Sequence, residues 1–318
     1  MAEKEFRTGL SICGGGMLGI GPLTLLKNLE KDLRTHFGNP NLQIQDFIDC
    51  YAGTSTGSII TALLVKGFSA NDAFQIFKEN VASIFTRYPL YKRLNPKCPT
   101  YDHTNLLRLL KEKIGDVKMK ELPCPTFIPT TRMNGKKAVE KVWDDRDEEL
   151  LRFAVATSAA APTYFDVIEK DGQSYCDGGL WANDATMVLE SGMKLRFPET
   201  KLRVMVLNTG MSVPNNAYGN MSLLGWAKYL ISDWIARTGN SNCFEAMANL
   251  GKENFIRISP IIDQAIELDK VERLDEVIDL WEKEYVKKKE ELLAFILNEK
   301  KEASVYLGGL YGNSSEIS

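Results

Sequence analysis

The sequence predicts an α/β fold, a three-layer α/β/α sandwich with a mainly parallel central sheet. Two successive strand-turn-helix units near the start predict it, together with later apolar runs spaced for crossover connections. In the first unit, Leu10-Ser11-Ile12-Cys13 runs into Gly14-Gly15-Gly16, after which Leu26, Leu29, Leu33 and Phe37 recur at helical spacing. In the second, Phe47-Ile48-Asp49-Cys50-Tyr51-Ala52 reads as a buried strand, Gly53 to Gly57 as a turn, and Ile60, Leu63 and Leu64 as one helix face. A helix between two strands returns the chain to the sheet in its original direction, so the pairing is parallel.

Further strands are expected at Thr126 to Thr131, Ala138 to Trp143 and Leu202 to Leu207. From Ile261 to about Lys301 the chain is charged and helical in pattern. Leu268, Val271, Leu274, Ile278, Trp281 and Tyr285 form a stripe for packing on the sheet domain. Residues 7–300 are therefore expected to form a single domain, with a partly flexible, Gly- and Ser-containing tail at 302–318.

Composition narrows the function classes. The 318 residues are 44% hydrophobic and 25% charged, enough for a sizeable core. Their 39 basic and 42 acidic side chains leave a net charge of -3, which argues against a nucleic acid polymer as partner. Six scattered cysteines, without a C-x-x-C pair, read as reduced thiols. The charged start, Met1 to Arg7, is no signal peptide, and no apolar run reaches the roughly 18 residues of a membrane span. A cytoplasmic protein acting at most peripherally on a membrane is expected.

The chemistry centres on Gly53-Thr54-Ser55-Thr56-Gly57, a G-x-S-x-G motif between a strand and a helix. Small flanking residues permit the sharp turn that lifts a serine hydroxyl above the sheet, at a helix N-terminus that favours developing negative charge. A turn that only caps the helix is the plainer alternative. The usual order of serine, acid, histidine is not expected here: His36 precedes Ser55, His103 precedes the acids of the later half, and both read as structural. A carboxylate is the natural substitute base. Asp177, in Tyr175-Cys176-Asp177-Gly178-Gly179, has an apolar approach and two following glycines, although Asp-Gly-Gly alone is commonly a turn. The amides of Gly14, Gly15 and Gly16, in a turn closed by Gly19, are candidates for an oxyanion hole with that of Thr56.

These pieces, in this order, resemble the patatin-like phospholipase family. The similarity runs from about Thr8 to Gly210 and includes Ala156 to Phe165, which looks like that family's segment ahead of its Asp-Gly motif. The resemblance implies a patatin-like fold and a Ser-Asp dyad without histidine, with Ser55 as nucleophile and Asp177 as base. It also implies a glycerophospholipid substrate at a membrane surface. The family's glycine motif usually carries Arg or Lys where this chain has Leu18, and Leu207-Asn208-Thr209-Gly210 is a weakened version of its Gly-Thr-Gly strand end. The compact chain is also similar to phospholipase effectors of anti-phage defence, which implies a cyclic di- or oligonucleotide activator.

Neither cofactor nor metal is expected, since no D-x-D-x-D-G calcium loop is present. Two alternatives stay open. Gly14-x-Gly16-x-x-Gly19 matches a dinucleotide fingerprint, with Asp49 near the position of a ribose-binding acid, as in an oxidoreductase. A catalytically silent binding module is the other. Two segments invite surface roles: Phe85 to Tyr101, where Arg87, Lys92, Arg93 and Lys97 interleave with Tyr88 and Tyr91, as a lid or anionic-surface contact, and the apolar face of Leu223, Trp226, Leu230, Ile231 and Trp234, as a bilayer or homo-oligomer contact beside the default of core packing.

Overall fold

The computed structural model describes residues 5–95, 98–135, 137–212, 235–262 and 266–298, with backbone alone at 212 and 235–238. The apolar face from Leu223 to Trp234 and the tail lie outside these residues.

Strand β1 (Phe6–Ile12) lies at the centre of the main sheet. It pairs in parallel with β2 (Cys50–Gly53) on one side and β7 (Lys201–Leu207) on the other. Beyond β7 comes β9 (Phe255–Ile258), also parallel. Beyond β2 comes β3 (Thr126–Asn134), parallel to β2, after which the sheet turns antiparallel through β4 (Lys137–Trp143), β6 (Gln173–Asp177) and β5 (Ile168–Lys170). The expected parallel sheet thus carries an antiparallel flank. A separate pair joins β8 (Met211–Ser212) to β10 (Ile261–Ile262).

Alternation along the central strands sorts the core into two faces. Leu10, Ile12, Tyr51, Ile128, Met205 and Leu207 belong to one apolar cluster, whereas Cys50, Ala52, Phe127, Val204 and Val206 belong to another. The first face is covered by α1 (Ile20–Phe37), α2 (Thr56–Val65), α3 (Ala70–Ile84), α5 (Thr104–Lys113) and α6 (Leu151–Ser158), with the short α4 (Leu90–Arg93) outside them. The second is covered by α8 (Thr186–Arg196) and α9 (Ile235–Leu250), which follow the short α7 (Gly179–Ala182). Every residue of α2 is buried, so this helix reads as continuously apolar rather than as a stripe.

The C-terminal helix α10 (Leu274–Leu297) closes the first layer against α1. Trp281 is fully buried against Gly21, where a side chain would collide with the indole, and the Tyr285 hydroxyl donates to Asp32. Two expectations change here. Helix starts only at Leu274, because Ile261–Ile262 pairs as a strand. Strand β2 starts at Cys50 rather than Phe47, because the preceding Ile44–Asp46 forms a single turn in which Asp46 accepts the Gln43 amide at 2.8 Å.

Candidate active site

Strand β3 brings Ser55 and Asp177 together. Its first residues pair with β2, Ala52 opposite Phe127, and its later residues pair with β6, Asp177 opposite Thr130. β4 takes the other edge from Ile128 onward. Strands β2 and β6 therefore run head-on along one edge of β3, their ends separated by about 10 Å, or three strand residues. Ser55 lies just past the end of one and Asp177 at the end of the other.

Ser55 has φ 54° and ψ -123°, a left-handed conformation that a side chain adopts only under strain. Several contacts impose it. The Ser55 amide donates to Ser158 Oγ at 3.0 Å, its carbonyl accepts from the Ser58 hydroxyl at 2.6 Å, and the Thr54 hydroxyl is tied to the Ala182 carbonyl at 2.6 Å. Gly53 ends β2, and Gly57 lies where α2 crosses the end of β1. A Cβ on Gly57 would strike the Ile12 carbonyl oxygen, so no larger residue lets the helix start there.

Asp177 is 5% exposed, with the Ser55 side chain beside its carboxylate. Burial pushes its pKa up to about 7, opposed by hydrogen bonds from the Gly179 amide, at 2.6 Å, and from Ser55. Its amide donates to the Ala160 carbonyl, fixing the strand end against the segment that follows Ser158. Gly178 fits tightly on the Pro129 carbonyl, and Gly179 opens α7.

The glycine turn closes the third side. Gly14 is pressed against Ser55 Cβ and Asn183. Its own amide donates to the Asn183 carbonyl at 3.0 Å, so it is not free for an oxyanion, contrary to the sequence expectation for that one residue. The amides of Gly15, Gly16 and Thr56 have no acceptor among the described residues. Thr56 begins α2, so the helix dipole adds to its donor. Gly16 has φ +56° and abuts the Leu268 carbonyl, which accepts the Met17 amide at 2.8 Å. Gly19 packs on the Thr56 side chain, and Leu18 is buried in the core. An apolar residue therefore stands where the family resemblance leads one to expect Arg or Lys.

Ser158, Asn183 and Thr209 have no individual role in the sequence reading. The Thr209 hydroxyl donates to the Gly14 carbonyl at 2.9 Å, holding the glycine turn from below. Each residue acts across more than 100 positions of sequence, where local pattern carries no signal; only the Ala156 to Phe165 run pointed toward Ser158. His36 is exposed in the last turn of α1. His103 is buried, stacked on Phe165 with ring centroids 4.7 Å apart, and lacks a partner for either nitrogen among the described residues; burial lowers its pKa to about 4.

Asp49 precedes β2, at the opposite end of the sheet from the glycine turn. There it accepts from Arg7 and the Thr8 amide, both at 2.9 Å. A ribose-binding acid belongs at the C-terminal end of that strand, so the dinucleotide alternative loses its acid.

The chain is similar to several known proteins. The family described as patatin-like phospholipase matches residues 10–189. A cGAMP-activated phospholipase of Vibrio cholerae is 29% identical over 245 residues, covering 70% of this chain and 68% of the relative. Patatin-like protein 2 of Oryza sativa subsp. indica is 33% identical, covering 57% of this chain and 51% of its own length. The chain thus spans from about half to two thirds of these relatives. Among solved structures, human GIVD cytosolic phospholipase A2 aligns with 92% of this chain and 59% of its own at 11% identity and a TM-score of 0.45. With its motif order, sheet and family match in agreement, the chain belongs to the patatin-like phospholipase family, whose members are ester-hydrolysing enzymes.

Proposed function

We propose that this protein hydrolyses fatty-acyl esters of membrane glycerophospholipids, with Ser55 as nucleophile and Asp177 as its base. The observation that carries the proposal is the buried carboxylate of Asp177 facing a strained Ser55, with a pKa of about 7 that lets it both take and return a proton near neutrality. Asp177 accepts the hydroxyl proton as Ser55 Oγ attacks the ester carbonyl. The resulting oxyanion is held by the amides of Gly15, Gly16 and Thr56. Asp177 then gives its proton to the leaving alkoxide, which departs as a lysolipid. Water, deprotonated by Asp177, attacks the acyl-serine and releases the fatty acid, with the proton returning to Ser55.

The test is fatty-acid release from mixed phospholipid vesicles by the wild type, Ser55→Ala and Asp177→Asn. Activity in the wild type and a loss of at least about 10³-fold in both variants is expected. Retention of activity by either variant would overturn the dyad. Wild-type inactivity toward every ester, with or without nucleotide, would overturn the hydrolase.

A second assignment concerns control. The similarity to proteins named cGAMP-activated phospholipase, in Vibrio cholerae and in Escherichia coli at 32% identity over 63% of this chain, favours a cyclic dinucleotide as activator and a defence role. Adding cGAMP at micromolar concentration is expected to raise lipid hydrolysis. No change with any cyclic nucleotide would remove this assignment and leave the hydrolase intact.

A further inference from the structure

We propose that residues Arg87 to Leu94, centred on α4, form the surface by which this protein docks on an anionic phospholipid bilayer. The proposal rests on the acyl-hydrolase reading for its purpose, but not for its test. Leu90, Tyr91 and Leu94 are 72%, 71% and 78% exposed, an unusual concentration of large apolar groups in solvent. They are set among basic residues. Between Glu79 and Asp102 the sequence has Arg87, Lys92, Arg93 and Lys97 and no carboxylate, although the whole chain has a net charge of -3. Asp102 and Asp166 lie near it, by Tyr88 and Lys92, but the segment itself carries only cations around its exposed apolar side chains. This matches an interface of anionic headgroups over acyl chains, since the chains receive the apolar groups and the headgroups pair with the cations. A soluble protein partner has no comparable reason to require a segment free of acids over this length.

The segment is also anchored to the site. The Tyr88 amide donates to the Thr100 carbonyl at 3.2 Å, and the Tyr88 hydroxyl donates to Asp166 at 2.9 Å. The Thr100 and Tyr101 amides donate in turn to the Thr163 and Tyr164 carbonyls, at 3.0 and 2.8 Å. That strand of chain continues directly from Ala160 and Ser158, which hold the Asp177 and Ser55 amides. On its other side, the Tyr101 hydroxyl donates to Asp269, next to Leu268, whose carbonyl abuts Gly16. The exposed apolar cluster thus stands on two supports, one leading to the dyad and the other to the glycine turn.

The experiment is cosedimentation with vesicles of equal phosphatidylglycerol and phosphatidylethanolamine, against vesicles of pure phosphatidylcholine. Compared are the wild type, Leu90→Ser/Tyr91→Ser/Leu94→Ser and Lys92→Glu/Arg93→Glu, with hydrolysis of a dissolved short-chain p-nitrophenyl ester in parallel. The wild type is expected to bind the anionic vesicles and to release them in about 0.5 M salt. Both variants are expected to bind at least about tenfold more weakly while hydrolysing the dissolved ester within about twofold of wild type. Undiminished vesicle binding by either variant would overturn the docking surface. Sedimentation requires no turnover, so vesicle binding is read independently of the hydrolase reading, which stands or falls on the ester assays with and without nucleotide. Should the triple variant misfold, Leu94→Ser alone, with an expected loss of about threefold, decides the apolar contribution.

Discussion

At the scale of single residues, the site combines two unfavourable states that only tertiary structure sustains. Asp177 is a carboxyl group held out of water, and Ser55 a serine held at positive φ. Because the folded pKa of Asp177, about 7, lies above the ordinary carboxylate value, the folded protein binds more protons than the unfolded chain from about pH 4 to pH 7. Stability therefore falls as pH rises through that window. Asp177→Asn is expected to exceed the wild type by roughly 2–4 kcal/mol in urea melts at pH 8, with the gap closing toward pH 4. Wild-type hydrolysis should rise with an apparent pKa near 7 as the base ionises; a flat profile from pH 5 to 8 would contradict the assignment of Asp177. Similarly, Ser55→Gly removes the strained conformation and is expected to gain about 1 kcal/mol in a thermal melt while abolishing activity. Ser158→Ala, which deprives the Ser55 amide of its acceptor, is expected to lower kcat about tenfold with KM nearly unchanged.

At the scale of elements, what was legible in the sequence depended on how local the cause was. The turns at Gly14 to Gly16 and Gly53 to Gly57 were readable because their strand and helix neighbours are adjacent in the chain. The strand end at Asp177 was readable for the same reason, from an apolar run ending in two glycines. The antiparallel flank was not, because a strand's direction is set by which edge of β3 it meets, and no short window of sequence contains that. The late start of α10 has a similar origin: the apolar stripe from Leu268 to Tyr285 has helical spacing, but Leu268 and its neighbours are held by contacts with the glycine turn and Tyr101 instead. Within α10, Trp281 carries the largest fully buried side chain among the described residues and seats the helix on α1. Trp281→Ala is expected to cost about 3–5 kcal/mol, read as a lower midpoint in urea. A loss below about 1 kcal/mol would show that α10 is not part of the cooperative core.

At the scale of the whole molecule, the family match ends at residue 189, but the candidate site does not. Strand β7 backs the central strand, Thr209 pins the Gly14 carbonyl, and Leu268 accepts the Met17 amide, so the later part of the chain shapes the glycine turn. The proposed dyad lies in the matched part, and the glycine turn beside it is braced from outside that part. A change in the brace should then alter turnover without touching a reacting atom. Asp269 is the place to apply it, because its carboxylate accepts from Tyr101 while its neighbour Leu268 meets Gly16. Asp269→Asn keeps the shape of the side chain but weakens a charge-assisted hydrogen bond to a neutral one. The expected result is a threefold to tenfold lower kcat on a dissolved ester, with KM and the pH profile unchanged and a melting temperature within about 3 °C of wild type. Were the brace irrelevant, kcat would match the wild type. Were Asp269 itself the base, the limb near pH 7 would disappear along with nearly all activity. The shape of the pH profile therefore separates bracing from chemistry at this position.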